Sequence, residues 1–176
     1  MKKIFLYAGR DTTLHQIDVF VLVDDIDFEL LNAHKWYLMK IYHTDKKIFY
    51  ARRYENGNAI LMHRVVLGLT ERKQKVDHAD GNGLNNQRNN LRPCTTAQNN
   101  FNSPSRKKSK SIYKGVQFPR PEHRMNYFRS EITINGKKMN VGKFKTEEEA
   151  ALAYNKKAVL LHGEFAKLNI IGYGNS

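Results

Sequence analysis

Short apolar runs separated by turn signals fill the first 60 residues. Residues 19–23 are all apolar and mostly β-branched or aromatic, which is typical of a buried strand. The acids at 24–27 then predict a short capped helix, because the helix dipole favours negative charge at its start. A metal site on these acids is the less favoured alternative, because no second ligand cluster comes after them. Further strands are indicated at 35–38 and 49–53, and a hairpin at 56–58.

Strict alternation of apolar and polar residues predicts a second β region near the C-terminus. One face of the strand at 127–134 carries Phe128, Ser130, Ile132 and Ile134, and the other carries Tyr127, Arg129, Glu131 and Thr133. A strand precedes it at 113–118, and the hairpin signal Asn135-Gly136 leads to a third strand at 137–144. A capping box at Thr146 and apolar residues at helical spacing predict a helix that ends at Gly163. We therefore expect a three-stranded sheet with a helix on one face.

Residues 103–111 consist of serine, proline and four basic residues, a composition that is typical of a linker. The segment can be a solvated tether, a basic arm that lies along phosphates, or both. We favour a tether that becomes ordered on DNA.

The composition favours a polyanionic partner. The 176 residues carry a net charge of +13, and the isoelectric point is about 9.8. No run approaches the roughly 18 apolar residues of a membrane span, so nucleic acid is favoured over a membrane. Charged residues follow the N-terminus too soon for a signal peptide. The lone Cys94 allows no internal disulfide and no zinc ribbon, so we expect an intracellular protein without structural zinc.

The basic charge is concentrated at the C-terminal end. Residues 1–60 have a net charge of +1, residues 61–102 of +3 and residues 103–176 of +9. We expect the last part to supply most of the phosphate affinity.

The stretch from 76 to 100 carries the candidate chemistry. A strand ending in Asp77-His78 is followed by a glycine loop, a returning strand at Asn90-Leu91-Arg92 and a capped helix with Asn99. His78 is the natural general base, since its ordinary pKa is near neutrality. Asp77 and Asn99 offer hard oxygen ligands for Mg²⁺ or Mn²⁺. The Asn90 oxygen can hold the imidazole in the useful tautomer.

This loop has one alternative interpretation, a simple turn, and a calcium loop can be rejected. Asp-Gly-Asn-Gly is a turn signature by itself. A calcium loop starting at Asp80 is rejected, because Leu91 stands where an acidic ligand is required and the fixed glycine is missing.

This stretch resembles the HNH endonucleases of phages and mobile introns. The matching pieces are His63-Arg64, Val76-Asp77-His78, Asp80-Gly81-Asn82, Asn85-Asn86 with Arg88, Asn90-Leu91-Arg92, and Gln98-Asn99. Gln87 interrupts the family's adjacent Asn-Arg pair. The resemblance implies a ββα-metal fold, one divalent cation held by Asp77 and Asn99, and His78 as general base. The candidate phosphate contacts here are His63, Arg64, Arg88 and Arg92; the last two could instead brace the loop.

The C-terminal region looks like an Apetala-type (ethylene-response-factor) DNA-binding domain. The matching pieces include Tyr113-Lys114-Gly115-Val116, Asn135-Gly136-Lys137, Val141-Gly142-Lys143-Phe144 and Leu168-Asn169. The resemblance implies that the sheet binds DNA. Gln117 replaces the usual arginine and Phe128 the usual tryptophan. The candidate DNA contacts are Lys114, Gln117, Arg120, Arg124, Arg129, Glu131 and Thr133.

The sequence thus predicts an α+β protein. Its expected parts are a β-rich segment at 1–60, a ββα-metal nuclease domain at 61–102, a linker at 103–111, an Apetala-type domain at 112–169 and a tail at 170–176. The expected function is a homing-type, metal-dependent endonuclease that nicks one strand of double-stranded DNA, as a monomer or a DNA-induced dimer. We expect it in the cytoplasm of a bacterial or phage-infected cell, without membrane contact. A DNA-binding regulator with an inactive nuclease motif is the alternative, and an RNA-directed role is weaker.

Overall fold

The computed structural model describes residues 1–8, 16–43, 46–71, 73–103, 109–119, 126–134 and 136–172. The chain divides into two compact units, Met1–Thr96 and Ala97–Ser176. Two of the predicted DNA contacts, Arg120 and Arg124, most of the predicted linker and Asn135 of the hairpin signal lie outside the described residues.

A five-stranded sheet forms the frame of the first unit. Its strands are β1 (Lys2–Tyr7), β2 (Gln16–Val23), β3 (Tyr37–His43), β4 (Lys46–Glu55) and β5 (Asn58–Leu61), in the spatial order β2-β1-β3-β4-β5. The β1–β3 pair is parallel and the other pairs are antiparallel. Asn56 and Gly57 have φ angles of 49° and 76°, as a tight turn between β4 and β5 requires.

One hydrophobic core joins the predicted N-terminal segment to the rest of the first unit. Helices α1 (Asp25–Asn32) and α2 (Met62–Val66) belong to this unit. Leu6, Trp36, Met62 and Leu91 are all buried in the same apolar cluster. The boundary predicted at residue 60 is therefore not a domain boundary, because side chains on both sides of it share a core.

The second sheet of the first unit is a two-stranded ribbon. Strand β6 (Lys75–His78) pairs in antiparallel register with β7 (Leu91–Cys94). A short 3-10 turn, Arg88–Asn90, leads into β7, so the returning strand starts at Leu91. Helix α3 (Thr96–Phe101) comes next, which gives the predicted order of strand, strand and helix.

The second unit has the predicted sheet and helix. Strands β8 (Val116–Gln117), β9 (Phe128–Ile134) and β10 (Lys137–Phe144) are antiparallel in the order β10-β9-β8. Helix α4 (Glu147–His162) begins with the predicted capping box. The Thr146 hydroxyl accepts a hydrogen bond from the Glu149 amide at 3.1 Å, and the Glu149 carboxylate accepts one from the Thr146 amide at 3.3 Å.

Helix α4 covers one face of this sheet. Ile132 on β9 is buried against Tyr154 and Ala158 of the helix. Its neighbour Thr133 is exposed, so the predicted alternation is confirmed. Among the described residues, no helix has both the length and the apolar character of a membrane span.

Candidate active site

The ribbon places two buried polar residues side by side at the end of β6. Asp77 and His78 are each only 4% exposed. Arg92 stands opposite Asp77 in the β6–β7 register, and its guanidinium forms an ion pair with the Asp77 carboxylate. A buried carboxylate needs such a partner, because desolvation of a lone charge is costly. The predicted phosphate contact Arg92 thus has a partner inside the protein.

His78 lies in a cluster of three rings. The ring centroids of His78 and His63 are 5.2 Å apart, and those of His78 and Tyr50 are 5.7 Å apart. Tyr50 and His63 are themselves 5.5 Å apart. The cluster therefore brings together β4, α2 and β6, which are distant in sequence. We call these three residues the ring cluster.

Burial favours the neutral form of both imidazoles. It lowers the pKa of His78, while Asp80, the Asn86 side chain and Asp77 oppose the change. Burial, with smaller contributions from His78 and Arg64, lowers the pKa of His63 to about 3. Burial also raises the pKa of the Tyr50 hydroxyl, and Asp77 adds to this effect. A neutral His78 can accept a proton, which is what a general base must do.

The loop after His78 is closed by side-chain amides. Asp80 accepts hydrogen bonds from the Asn82 backbone amide at 2.7 Å and from the side-chain amides of Asn85 at 2.8 Å and Asn90 at 3.0 Å. Burial alone would raise the pKa of Asp80, but these three hydrogen bonds outweigh it and lower the pKa. Asp80 is thus an anionic centre around which the loop folds.

Asn90 has a different partner from the predicted one. Its side-chain oxygen accepts from the Asp80 backbone amide at 3.0 Å, and its nitrogen donates to Asp80 and to the Asn85 carbonyl at 2.8 Å. The Asn90 carbonyl also accepts from the Ala79 amide at 2.9 Å. The sequence predicts that the side-chain oxygen holds the His78 ring. The described contacts instead make Asn90 a brace of the loop behind His78.

Arg88 ties the loop to α1. Its guanidinium makes two hydrogen bonds to the Asp27 carboxylate, at 2.8 and 2.7 Å. Asp24 accepts from the Arg88 amide at 2.8 Å and from Gln87 at 3.2 Å, and makes no side-chain capping bond to α1. Asp24 and Asp27 therefore hold the loop. Of the two roles expected for Arg88, the structure shows the brace.

Arg64, like Arg88, forms its hydrogen bonds within the protein. Its guanidinium donates to the carbonyls of Gln74 at 2.6 Å, Glu71 at 2.5 Å and Leu69 at 3.4 Å. These bonds shape the segment between α2 and β6. The Arg64 guanidinium, a predicted phosphate contact, thus binds backbone carbonyls in this structure.

The predicted metal ligands fall on different elements. Asp77 lies on β6, whereas Asn99 lies on α3 and within the second unit. In the part of the chain that the structure describes, no group of three or more His, Cys, Asp or Glu side chains could hold a metal ion. A carboxylate and an amide oxygen are nevertheless hard donors, and Mg²⁺ sites often take water and substrate phosphate as their other ligands. The donor types at 77 and 99 therefore suit this ion.

Glu131 organises the open face of the second unit's sheet. Its carboxylate accepts from Gln117 at 2.6 Å, from Lys138 at 3.2 Å and from Arg129. Lys143 lies 4.5 Å from the centre of the Tyr127 ring, and Thr133 is exposed. The predicted DNA contacts Gln117, Arg129 and Glu131 thus form one network. Lys114 lies elsewhere, since its ammonium donates to the Phe101 carbonyl at 2.5 Å.

Sequence reasoning missed Tyr50 and Gly83. Tyr50 is one of several aromatic residues in a predicted strand, and nothing local distinguishes it. Gly83 belongs to a recognised turn sequence, but its role is spatial. A Cβ atom there would lie 2.3 Å from the Phe49 carbonyl oxygen and 2.6 Å from the Tyr50 ring. Only glycine lets the loop approach β4 this closely.

Two relatives share much of this chain. A protein of Acanthamoeba polyphaga mimivirus, described as an uncharacterized HNH endonuclease, is 31% identical over 159 residues, which cover 88% of this chain and 76% of the relative. Protein 3.8 of Escherichia phage T7 is 34% identical over 92 residues, which cover 52% of this chain and 73% of that protein. No protein-family model and no solved structure matches the chain.

Proposed function

Since this chain belongs to the HNH endonuclease family, we propose that it is a metal-dependent DNA endonuclease with His78 as its general base. The observation that carries the proposal is the position of His78. It is buried, held in a ring cluster and directly preceded by Asp77. Burial keeps its imidazole neutral and able to take a proton from an attacking water.

Asp77 and Asn99 would hold the divalent cation, Mg²⁺ or Mn²⁺. Such an ion, when bound, neutralises charge on the phosphate and on the leaving oxygen. In the structure the Asp77 carboxylate pairs with the Arg92 guanidinium across the ribbon, so a bound cation would have to displace Arg92. With the cation on Asp77, Arg92 would turn to the substrate phosphate.

The sheet of the second unit would position the DNA. Its open face carries Arg129, Lys138 and Lys143, which can neutralise phosphates. We propose that this Apetala-type sheet binds the duplex and gives the enzyme its site preference, as a homing endonuclease requires. A single catalytic site per chain nicks one strand unless two chains meet on the DNA.

A DNA-binding regulator without catalysis is the second candidate. The ion pair between Asp77 and Arg92 favours it, because a carboxylate satisfied by an arginine needs no cation. The two candidates differ in their response to added metal.

Cleavage of a supercoiled plasmid with Mg²⁺, with and without EDTA, tests the proposal. We expect wild-type protein to convert supercoiled DNA to open circles, and EDTA to stop this. His78→Ala should lower the rate by about 100-fold or more, since general-base catalysis contributes about that much, and should leave DNA binding intact.

His34→Ala is the matched control, because His34 is exposed beyond the end of α1. It should cut like the wild type. If the protein shifts DNA in a gel but does not cut it with any metal ion tried, the nuclease proposal is wrong. The DNA-binding regulator then remains.

A further inference from the structure

Tyr50 is locked between a strand and the loop after His78. It pairs with Met39 in the antiparallel register of β3 and β4, so its backbone is fixed by the sheet. On its other side the ring approaches Gly83 so closely that a Cβ atom there would lie 2.6 Å from the ring carbon Cε1. The position of the ring is therefore fixed from two directions.

His63 is fixed as firmly as Tyr50. It lies on α2 and is 7% exposed. The next residue, Arg64, binds three carbonyls of the segment between α2 and β6. The backbone of the short helix is thus fastened next to His63, and burial between Tyr50 and His78 restrains the His63 ring.

The two rings meet the His78 imidazole from different directions. His63 stands edge-on to it, with an interplanar angle of 86°, and Tyr50 is tilted by 48°. Aromatic rings at 5.2–5.7 Å in such arrangements attract each other beyond simple burial. Two contacts at different angles leave a ring little freedom to rotate about its side-chain bonds.

We propose that Tyr50 and His63 are positioning residues, which hold the His78 imidazole in one orientation and thereby keep the hydrogen bond with the Asn86 side chain that fixes its tautomer. This inference rests on the proposed nuclease function, since the held ring is its general base. A base acts efficiently only when its nitrogen points at the water it deprotonates. Neither residue touches the substrate in this role. The rings act through their shape, so the Tyr50 hydroxyl is not required.

Three variants of full-length protein test the proposal on the plasmid. Tyr50→Leu removes the ring, Tyr50→Phe keeps it, and Tyr42→Leu is the control, because Tyr42 is 70% exposed on β3. Tyr50→Leu should lower kcat by about 10- to 100-fold with little change in KM, as misplacement of a catalytic group does. Tyr50→Phe should restore most of the lost rate.

NMR spectra of isotope-labelled histidine side chains give a readout that does not depend on cutting. Wild-type His78 should show a single neutral tautomer and contacts to the Tyr50 ring protons. Tyr50→Leu should show a mixture of tautomers, and Tyr50→Phe should resemble the wild type. The spectrum distinguishes a failure of the proposed nuclease function from a failure of the positioning proposal. If the wild-type protein never cuts DNA, the nuclease function is refuted. A tautomer change in Tyr50→Leu would still support the positioning of His78.

Two results would overturn the inference. One is a wild-type His78 that already exchanges between tautomers. The other is a folded Tyr50→Leu protein with a wild-type rate and spectrum. If Tyr50→Leu does not fold, His63→Gln removes the second ring and carries the same comparison. A wild-type His78 that exchanges between tautomers overturns the inference even if both variants unfold.

Discussion

At the scale of single residues, the first unit buries several titratable side chains. His63 is the clearest case. Its burial lowers its pKa from 6.5 to about 3, with smaller contributions from His78 and Arg64. The folded protein therefore keeps His63 neutral where an unfolded chain would protonate it. This difference couples stability to pH.

His63 should make the protein less stable in mild acid. Between pH 6.5 and about 3 the unfolded state binds a proton at this residue and the folded state does not, so stability falls as pH falls. The limiting slope from one such group is about 1.4 kcal/mol per pH unit. Urea midpoints at several pH values between 6.5 and 5 should show a smaller slope for His63→Gln than for the wild type.

The exposed residue His34 supplies the control for this experiment. His34→Gln should keep the wild-type slope. If His63→Gln shows an unchanged slope, His63 is not held neutral in the folded state.

At the scale of elements, the loop after His78 depends on a helix that comes 61 residues earlier in the chain. The Asp27 side chain is 5% exposed and pairs with Arg88, which is 52% exposed. The bidentate contact joins α1 to the turn before β7. Removal of the arginine leaves a buried carboxylate without this partner, which is the costly direction of the change.

Arg88→Ala should lower the free energy of unfolding by about 1–2 kcal/mol, since one partner is half exposed to solvent. Chemical denaturation monitored by the Trp36 fluorescence measures this, because Trp36 lies in the core of the same unit. The DNA affinity and its salt dependence should not change, since Arg88 acts as a brace and not as a phosphate contact.

The matched control is Lys2→Ala. Lys2 forms an exposed ion pair with Glu29 at 3.7 Å, and such pairs contribute only about 0–1 kcal/mol. If Arg88→Ala is as stable as Lys2→Ala and loses DNA affinity, the arginine contacts phosphate after all.

At the scale of the whole molecule, the basic charge is unevenly distributed. Residues 103–176 carry a net charge of +9, against +1 for residues 1–60. Within the second unit, α4 covers one face of the sheet, and Arg129, Glu131 and Thr133 of β9 lie on the other. We expect the phosphates to bind to the open face of the sheet and not to α4.

Arg129→Ala and Lys143→Ala should each weaken DNA binding for all sequences and reduce the slope of log affinity against log salt by about 1. Lys156→Ala is the control, because it removes the same charge from an exposed position on α4. Fluorescence anisotropy over a salt series measures all three. Equal slopes for the sheet and helix variants would mean that the sheet face does not bind the phosphates.

The sequence by itself determined the local features of this protein. Alternation assigned the two faces of β9, the capping box at Thr146 located the start of α4, and the order of Asp77, His78 and Asn90 indicated the chemistry. Each of these signals lies within a few residues, where backbone geometry relates spacing to structure. The family resemblance of this stretch agrees with the relative described as an HNH endonuclease.

Only the tertiary structure decided which distant residues meet. Nothing near Tyr50 marks it as a neighbour of His78, and nothing near Asp24 and Asp27 shows that they hold Gln87 and Arg88. The acids carried a correct local signal for a helix start, but their carboxylates were used elsewhere. The physical reason is that periodicity and capping report interactions along the chain. Partners more than 20 residues apart are chosen by how sheets and helices pack around a shared core, which no local pattern records.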